Sequence, residues 1–253
     1  MRPSGKQKIK LKNINTKAPA KTDKAVCKRE FDKLQNDFFE IQHLLYASDT
    51  YSLLIVFQGI DTSGKDSTIR HVFSCVNPLG VHATSFKAPN DEELEHDYMW
   101  RIFQKLPEKG RIQIFNRSYY EDILVPTIQK TFSSQLIDKR YNFINAFEQH
   151  LLDNKTLVLK FFLHISEDEQ KKRIQDRLKD PEKKWKYSNE DIKSSKKWND
   201  YTQVYEQILN RCSAYIPWII IPADNKWYRN YLVISTIVDH LKKLNLKLPT
   251  KNK

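Results

Sequence analysis

Apolar positions recur along the chain with two alternating periods. Phe31, Leu34, Phe38, Ile41 and Leu45 repeat at helical spacing, so an amphipathic helix is expected over about 25–48. YSLLIVF (51–57) is short, apolar and followed by turn residues, the pattern of a strand buried on both faces. A helix should run from Gly64 to about Val76, stopped by Asn77-Pro78 and Gly80. A weaker strand at 82–86 precedes a helix from about 91, which Asn90 and Glu93 would cap and Leu106-Pro107 would end. RIQIF (111–115) reads as a third strand. A helix over about 133–151 leads to the strand TLVLKFFLHI (156–165). The capping box Ser166-x-x-Glu169 then opens a charged helix through about Leu178, broken at Asp180-Pro181. Ser188-x-x-Asp191 opens a long helix to about Ala214, PWIII (217–221) is a fifth strand, and a last helix covers about 227–244. Nearly continuous apolar strands alternating with helices predict an α/β fold, a parallel five-stranded sheet covered by helices on both faces.

Composition narrows the class. The 253 residues can bury a proper core, and 13 Phe, 12 Tyr and 5 Trp exclude a wholly disordered chain. No apolar run approaches the roughly 20 residues that span a bilayer. The start MRPSGKQKIKLKN is basic with no apolar stretch behind it, so no secretory signal is expected. Cys27, Cys75 and Cys212 have neither disulfide-framework nor zinc spacing, which points to a reducing cytoplasm. The net charge of +12 suggests a polyanionic partner: nucleic acid, an anionic membrane or a phosphate-rich substrate. Eight of the 43 basic residues and one acid fall within 1–25. That segment reads as a mobile basic tail (1–24) ahead of one domain over 25–250.

The chemistry concentrates in Gly59-Ile60-Asp61-Thr62-Ser63-Gly64-Lys65-Asp66-Ser67, which follows a buried strand and opens a helix. That is the context of a phosphate-binding loop, in which backbone N–H groups and the helix N-terminus attract an anion and the lysine adds a point charge. The chain has only five glycines, and two stand at the required spacing in this loop. Asp66 occupies the place where a Ser or Thr usually binds magnesium. Other oxygens must then hold the metal, and a carboxylate in the loop, Asp61, is the candidate; taken alone, Asp61 could also be a simple turn former.

Two further segments could complete the site. Phe115-Asn116-Arg117-Ser118-Tyr119-Tyr120-Glu121-Asp122 lies at the carboxyl end of the third strand, where ligands bind in open parallel sheets. Arg117 would supply charge to a phosphoryl oxygen, and Glu121 or Asp122 could complete a magnesium site. After the fourth strand, Arg173 and Arg177 are i, i+4 on one helix face, a pair able to clamp phosphate, in the region where phosphotransferases often carry a lid. By itself such a charge run is more often a solvated face.

GIDTSGKDST, FKAPN (86–90), FNRSYYEDILV, DPEKKWKYS (180–188) and PADNKWYRN (222–230) together resemble a family-2 polyphosphate kinase, collinearly from about residue 25 to 245. FNRSYYED looks most like the subgroup that phosphorylates both AMP and ADP. The resemblance implies a three-layer P-loop kinase fold with a helical lid over about 170–190. It also implies magnesium, with manganese as a substitute, and reversible phosphoryl transfer between inorganic polyphosphate and AMP, ADP or ATP. Carried over by position, Asp61 and Lys65 match the catalytic pair of the loop, Arg117 the arginine after the third strand, and Arg177 the lid arginine. Thr62, Ser63, Gly64, Asp66, Ser67, Lys87, Arg173 and Lys186 fall at phosphate-binding positions, and Asp61 and Glu121 would hold metal. Asn116 departs from the Asp common in relatives; an amide cannot replace a carboxylate as an anionic ligand, so Glu121 would supply the missing charge.

Rival readings are an ATP-dependent nucleoside monophosphate kinase, which would want Ser or Thr after Lys65, and a basic nucleic-acid-binding protein, which leaves the loop at 59–67 unexplained. The expected partners are therefore polyphosphate and adenine nucleotides, with no nucleic acid and no membrane, in a homo-oligomer (dimer or tetramer) for which the helix at 25–48 offers a contact. His71, His82, His96 and His164 read as scattered structural or surface residues.

Overall fold

A computed structural model describes residues 8–180 and 195–249. Five strands form one sheet, β1 (Ser52–Gln58), β2 (Val81–Ser85), β3 (Ile112–Asn116), β4 (Thr156–His164) and β5 (Trp218–Pro222), in the order β2-β3-β1-β4-β5. Every pairing is parallel: Ile55 of β1 lies opposite Ile114 of β3 and Leu159 of β4, while Phe162 of β4 lies opposite Ile220 of β5. Central β1 is buried at every position, which is why its sequence shows no alternation.

The sheet separates two cores. Leu54 and Val56 of β1 face one layer with Phe115, Tyr119, Tyr141, Ile144, Phe147 and Trp218. That layer is formed by α5 (Glu121–Gln129), α6 (Ser134–Asp153) and α8 (Trp198–Arg211). Leu53, Ile55 and Phe57 face the other, where α1 (Lys24–Ser48) packs along α9 (Lys226–Lys242) beside α2 (Lys65–Val72). The remaining helices are α3 (Asp91–Glu95), α4 (Trp100–Phe103) and α7 (Glu167–Lys179). The expected three-layer α/β architecture is thus the observed one.

Three local departures stand out. The helix expected from 91 to 106 is two short pieces, because Asp97 accepts from the Met99 amide at 2.9 Å and starts a new turn. Asn90 and Glu93 do form the reciprocal capping box on α3. At Ser166 only half of the expected box forms: its hydroxyl accepts from Glu169 N, while its own amide donates to Asp224 Oδ1 at 2.9 Å and Glu169 turns to Arg173. A helix, α5, occupies 121–129, where the sequence pattern indicated none.

The largest departure is the N-terminal segment, expected to be a mobile tail. Residues 8–23 instead run as a strap across the carboxyl edge of the sheet. Ile9 and Leu11 are buried in the core, and their amides donate to Asn210 Oδ1 and Glu206 Oε1 of α8 at 2.7 and 2.8 Å. His164, at the end of β4, reaches the carbonyls of Leu11 and Ile14 through Nε2. Thr16 donates its hydroxyl to Asp224 Oδ2 at 2.7 Å. The alternation of Ile9 and Leu11 with Lys8, Lys10 and Lys12 places the apolar side chains inward and leaves the lysines exposed.

Candidate active site

β1 ends at Gln58, and the chain turns through 59–64 into α2. Gly59 (φ +152) and Gly64 (φ +101) adopt angles rare for residues with side chains, and a Cβ on Gly59 would lie 2.7 Å from the Leu163 carbonyl oxygen. Thr62 takes the left-handed region (φ +67), local strain of a kind that concentrates at functional loops. Ser63 N donates to Ile60 O at 3.0 Å and closes the turn. No side chain caps α2, so its first-turn N–H groups are presented to an anion. The hydroxyls of Thr62 and Ser63 are buried without a hydrogen-bond partner among the described residues.

Lys65 lies in the loop rather than in solvent. It is 8% exposed, and its Nζ donates to Gly59 O at 2.7 Å. Burial, followed by repulsion from Arg117, lowers its pKa, partly offset by Asp61, Glu121 and Asp66. Arg117, at the end of β3, also takes a left-handed angle (φ +63) and donates Nη2 to Asp61 Oδ1 at 2.7 Å. Burial opposes its charge, but Glu121 and Asp61 outweigh burial and raise its pKa. Glu121 opens α5 and accepts from Gln58 Nε2 at 3.0 Å. The sheet register brings these groups together: β1 and β3 are neighbours, with Phe57 opposite Asn116, so the loop at 59–64 and the segment 117–121 leave the same edge.

A buried network fixes that segment from below. Tyr119 and Tyr120 both donate their hydroxyls to Glu148 Oε1 of α6, at 2.8 and 2.7 Å. Lys160 of β4 donates to Glu148 Oε2 at 2.6 Å, and also to Tyr120 Oη and Cys212 O. Such an ion pair tolerates burial because its remaining protons and lone pairs are satisfied.

Beside the loop, a cavity of about 780 Å³ is lined by Asp61, Arg117 and Glu121 together with Leu94, Tyr98 and Phe132. Arg140 lies over the Tyr98 and Phe132 rings, with its guanidinium carbon 4.3 and 4.6 Å from their centroids. Arg101 donates to Lys87 O and Glu93 Oε2 and faces Asp122 at 3.6 Å. Burial raises the Asp122 carboxyl to about 6 against the pull of Arg101 and Arg140. Sequence reasoning assigned no role to Arg101, Arg140, Tyr98 or Phe132; they stand on separate elements, and only the fold makes them neighbours.

Asp61, Thr62, Ser63, Gly64, Lys65, Asp66, Ser67, Arg117 and Glu121 therefore cluster at one sheet edge, and exposed Lys87 lines the cavity. Arg173 does not join them as a phosphate ligand. It is 9% exposed and donates to the carbonyls of Thr62, Ser63, Ala223 and Asp224, with Nε on Glu169 at 2.7 Å. Arg173 thus braces the loop backbone from beneath, helped by Gln170 donating to Asp61 O at 3.2 Å. Arg177, one turn further along α7, is half-buried and does not share that inward position. Lys186, Trp185 and the second half of the expected lid, residues 181–190, lie outside the described residues.

For a divalent cation the donor set is informative. Among the described residues, no three of His, Cys, Asp and Glu converge closely enough to hold a metal by themselves. Asp61 and Glu121 flank Arg117 as hard oxygen donors, and one or two carboxylates plus substrate phosphates is the set that magnesium accepts. These residues fit a cation shared with phosphate. Among the described residues, no helix is long and apolar enough to cross a membrane.

Comparison with known proteins agrees with this geometry. The family model described as polyphosphate kinase 2 matches residues 21–249. A protein from Meiothermus ruber named AMP/ADP-polyphosphate phosphotransferase is 45% identical over 226 residues, covering 89% of this chain and 82% of that protein. An ADP-polyphosphate phosphotransferase from Rhodopseudomonas palustris is 41% identical, covering 83% and 77% of the two chains. The crystal structure of polyphosphate kinase 2 from Arthrobacter aurescens superimposes with a TM-score of 0.94 at 36% identity, covering 100% of this chain and 91% of that one. With a P-loop at the end of β1 and an arginine and a glutamate facing it from β3 and α5, the chain belongs to the polyphosphate kinase 2 family.

Proposed function

We propose that the protein transfers phosphoryl groups reversibly between inorganic polyphosphate and adenine nucleotides, making ADP from AMP and ATP from ADP. The observation that carries this reading is the convergence of Lys65, Asp61, Arg117 and Glu121 where the P-loop meets the cavity of about 780 Å³. A polyanionic donor suits the net charge of +12, and a nucleotide suits a cavity lined by both charged groups and aromatic rings.

Each residue has a physical task. The N–H groups at the start of α2 bind phosphate oxygens, and Lys65 moves from Gly59 O to a phosphate as a point charge. Arg117, held by Asp61, offers its remaining N–H groups to the transferring group, whose charge spreads over its equatorial oxygens in the transition state. Asp61 and Glu121 would hold a divalent cation, magnesium or manganese, together with phosphate oxygens, and the cation supplies charge neutralisation there. Little covalent work remains for the protein beyond in-line positioning. Base contacts fall to Tyr98, Phe132 and Arg140. Arg177 contributes from α7 as the lid arginine. We place the enzyme in the cytoplasm as a homo-oligomer; Val26, Phe39 and Tyr46 of α1 are exposed apolar positions for such a contact.

The test is direct: purified protein, magnesium, polyphosphate and AMP or ADP, followed by nucleotide separation. ADP and ATP should appear only with polyphosphate. No product from a folded preparation with any polyphosphate chain length, or product that requires ATP as donor, would overturn the reading.

A further inference from the structure

Arg229 stands behind the P-loop with no anion among the described residues to balance it. It ends the first turn of α9, is 1% exposed, and packs against the start of α2. Nε and Nη2 donate to Asn230 Oδ1 at 3.1 and 2.9 Å, and Nη2 also donates to Ser67 Oγ at 3.0 Å. Nη1 is buried and makes no hydrogen bond among the described residues. It lies against the Gly64 corner of the loop, where a Cβ would stand 2.0 Å from it. Among the described residues no carboxylate pairs with this guanidinium, and the one charged neighbour that perturbs it is Arg173, of like sign. Burial and that repulsion lower its pKa to about 9.

A buried arginine without a counter-ion destabilises the protein that carries it. The surrounding residues could have paired it and do not: Ser67 and Asn230 are neutral, and Glu169 is engaged by Arg173. The uncompensated charge faces the N-terminus of α2, whose first-turn N–H groups would bind phosphate under the proposed function.

We propose that Arg229 is a positioning residue for the donor, a fixed positive charge behind the P-loop whose counter-ion is the polyphosphate held at residues 59–67. It acts through Gly64 and Ser67, strengthening the field of α2 on bound phosphate and fixing the corner that carries Lys65. The inference rests on the reading of this loop as the polyphosphate site. It also makes Gly64 obligatory for a second reason besides its φ, since any side chain there would displace Nη1.

A structural brace and a charge awaiting phosphate give opposite results when the charge is removed. Arg229→Gln and Arg229→Lys would be compared with the unaltered enzyme by ligand-free melting, by melting with added inorganic polyphosphate, and by kinetics with polyphosphate and ADP varied separately. Arg229→Gln should melt at or above the wild-type temperature without ligand, yet gain less from polyphosphate. Its KM for polyphosphate should rise about tenfold, the scale of about 1.4 kcal/mol of lost through-loop attraction, with KM for ADP unchanged. Arg229→Lys should recover part of the polyphosphate affinity. A ligand-free Arg229→Gln protein that melts lower while keeping wild-type KM for polyphosphate would overturn the proposal in favour of a brace. Loss of folding in both variants would overturn it too, since removing an unbalanced charge cannot then be favourable. Polyphosphate that neither stabilises nor serves the wild-type enzyme defeats the functional reading itself, and the role of Arg229 with it; wild-type turnover with unaltered variants defeats Arg229 alone.

Discussion

Asn116 Nδ2 donates to Asp66 Oδ1 across 2.6 Å, tying the end of β3 to the first turn of α2. The residue after the P-loop lysine is thus held by an amide from the neighbouring strand. Because the amide is neutral, it can approach Asp66 without a cation between them. Asn116→Asp would set two carboxylates in contact, and one must then be protonated or bridged by a cation. The variant should lose about 1 kcal/mol of stability without metal, the scale of an exposed polar pair. It should recover that on adding magnesium, to a greater extent than the wild type does. Melting curves with and without magnesium measure both effects, and a metal-independent loss would count against a shared cation at this corner.

Lys65→Ala should lower turnover about a hundred- to thousandfold, the usual effect of removing one transition-state charge contact. The side chain is buried and bonded to Gly59 O, so the variant should also lose about 1 kcal/mol of stability from that hydrogen bond while remaining folded. Steady-state kinetics and urea unfolding together check the pair of outcomes.

Glu121→Asn should raise the magnesium requirement and reduce AMP phosphorylation more than ADP phosphorylation. AMP brings fewer phosphate oxygens to complete an octahedral shell once a carboxylate is lost. The variant would keep a hydrogen-bonding group near Gln58, so the fold should be little affected. Magnesium titrations with each acceptor decide the matter; equal falls with unchanged metal dependence would remove Glu121 from both roles.

Lys160→Met should cost about 3–5 kcal/mol, because the buried Glu148 carboxylate would lose its counter-charge. Lys160→Met combined with Glu148→Gln should recover much of that. Chemical denaturation of the single and double variants measures the coupling.

The strap makes stability sensitive to acid through His164. Burial lowers its pKa below the ordinary histidine value of 6.5, against its bonds to Leu11 O and Ile14 O, so the folded protein holds the ring neutral. Below about pH 6.5 the unfolded chain binds a proton that the folded chain resists, so stability falls as pH falls through that value. His164→Gln should show a shallower decline between pH 7 and 5. Urea unfolding across that range would reveal it, and parallel slopes would mean that other groups dominate.

Local chemistry is what the sequence by itself determined. Strand and helix periods are set by neighbours within a few residues, so five strands and most helices could be placed from the pattern of apolar positions. The P-loop could be recognised because its glycines, lysine and flanking elements are contiguous. Strand order, and with it the meeting of Arg117 and Glu121 with Asp61 and Lys65, came only from the folded sheet. The same divide explains what misled. Spacing puts Arg173 and Arg177 on one side of α7, but it cannot tell whether that side meets solvent or the carbonyls beneath the loop. Net charge marked residues 1–24 as a tail, although Ile9 and Leu11 had partners some two hundred positions away on α8. Arg229, one residue in a motif of nine, acquired its unbalanced charge only when α9 packed on α2 and excluded both water and acid. Desolvation depends on everything packed around a group, and that is decided in three dimensions.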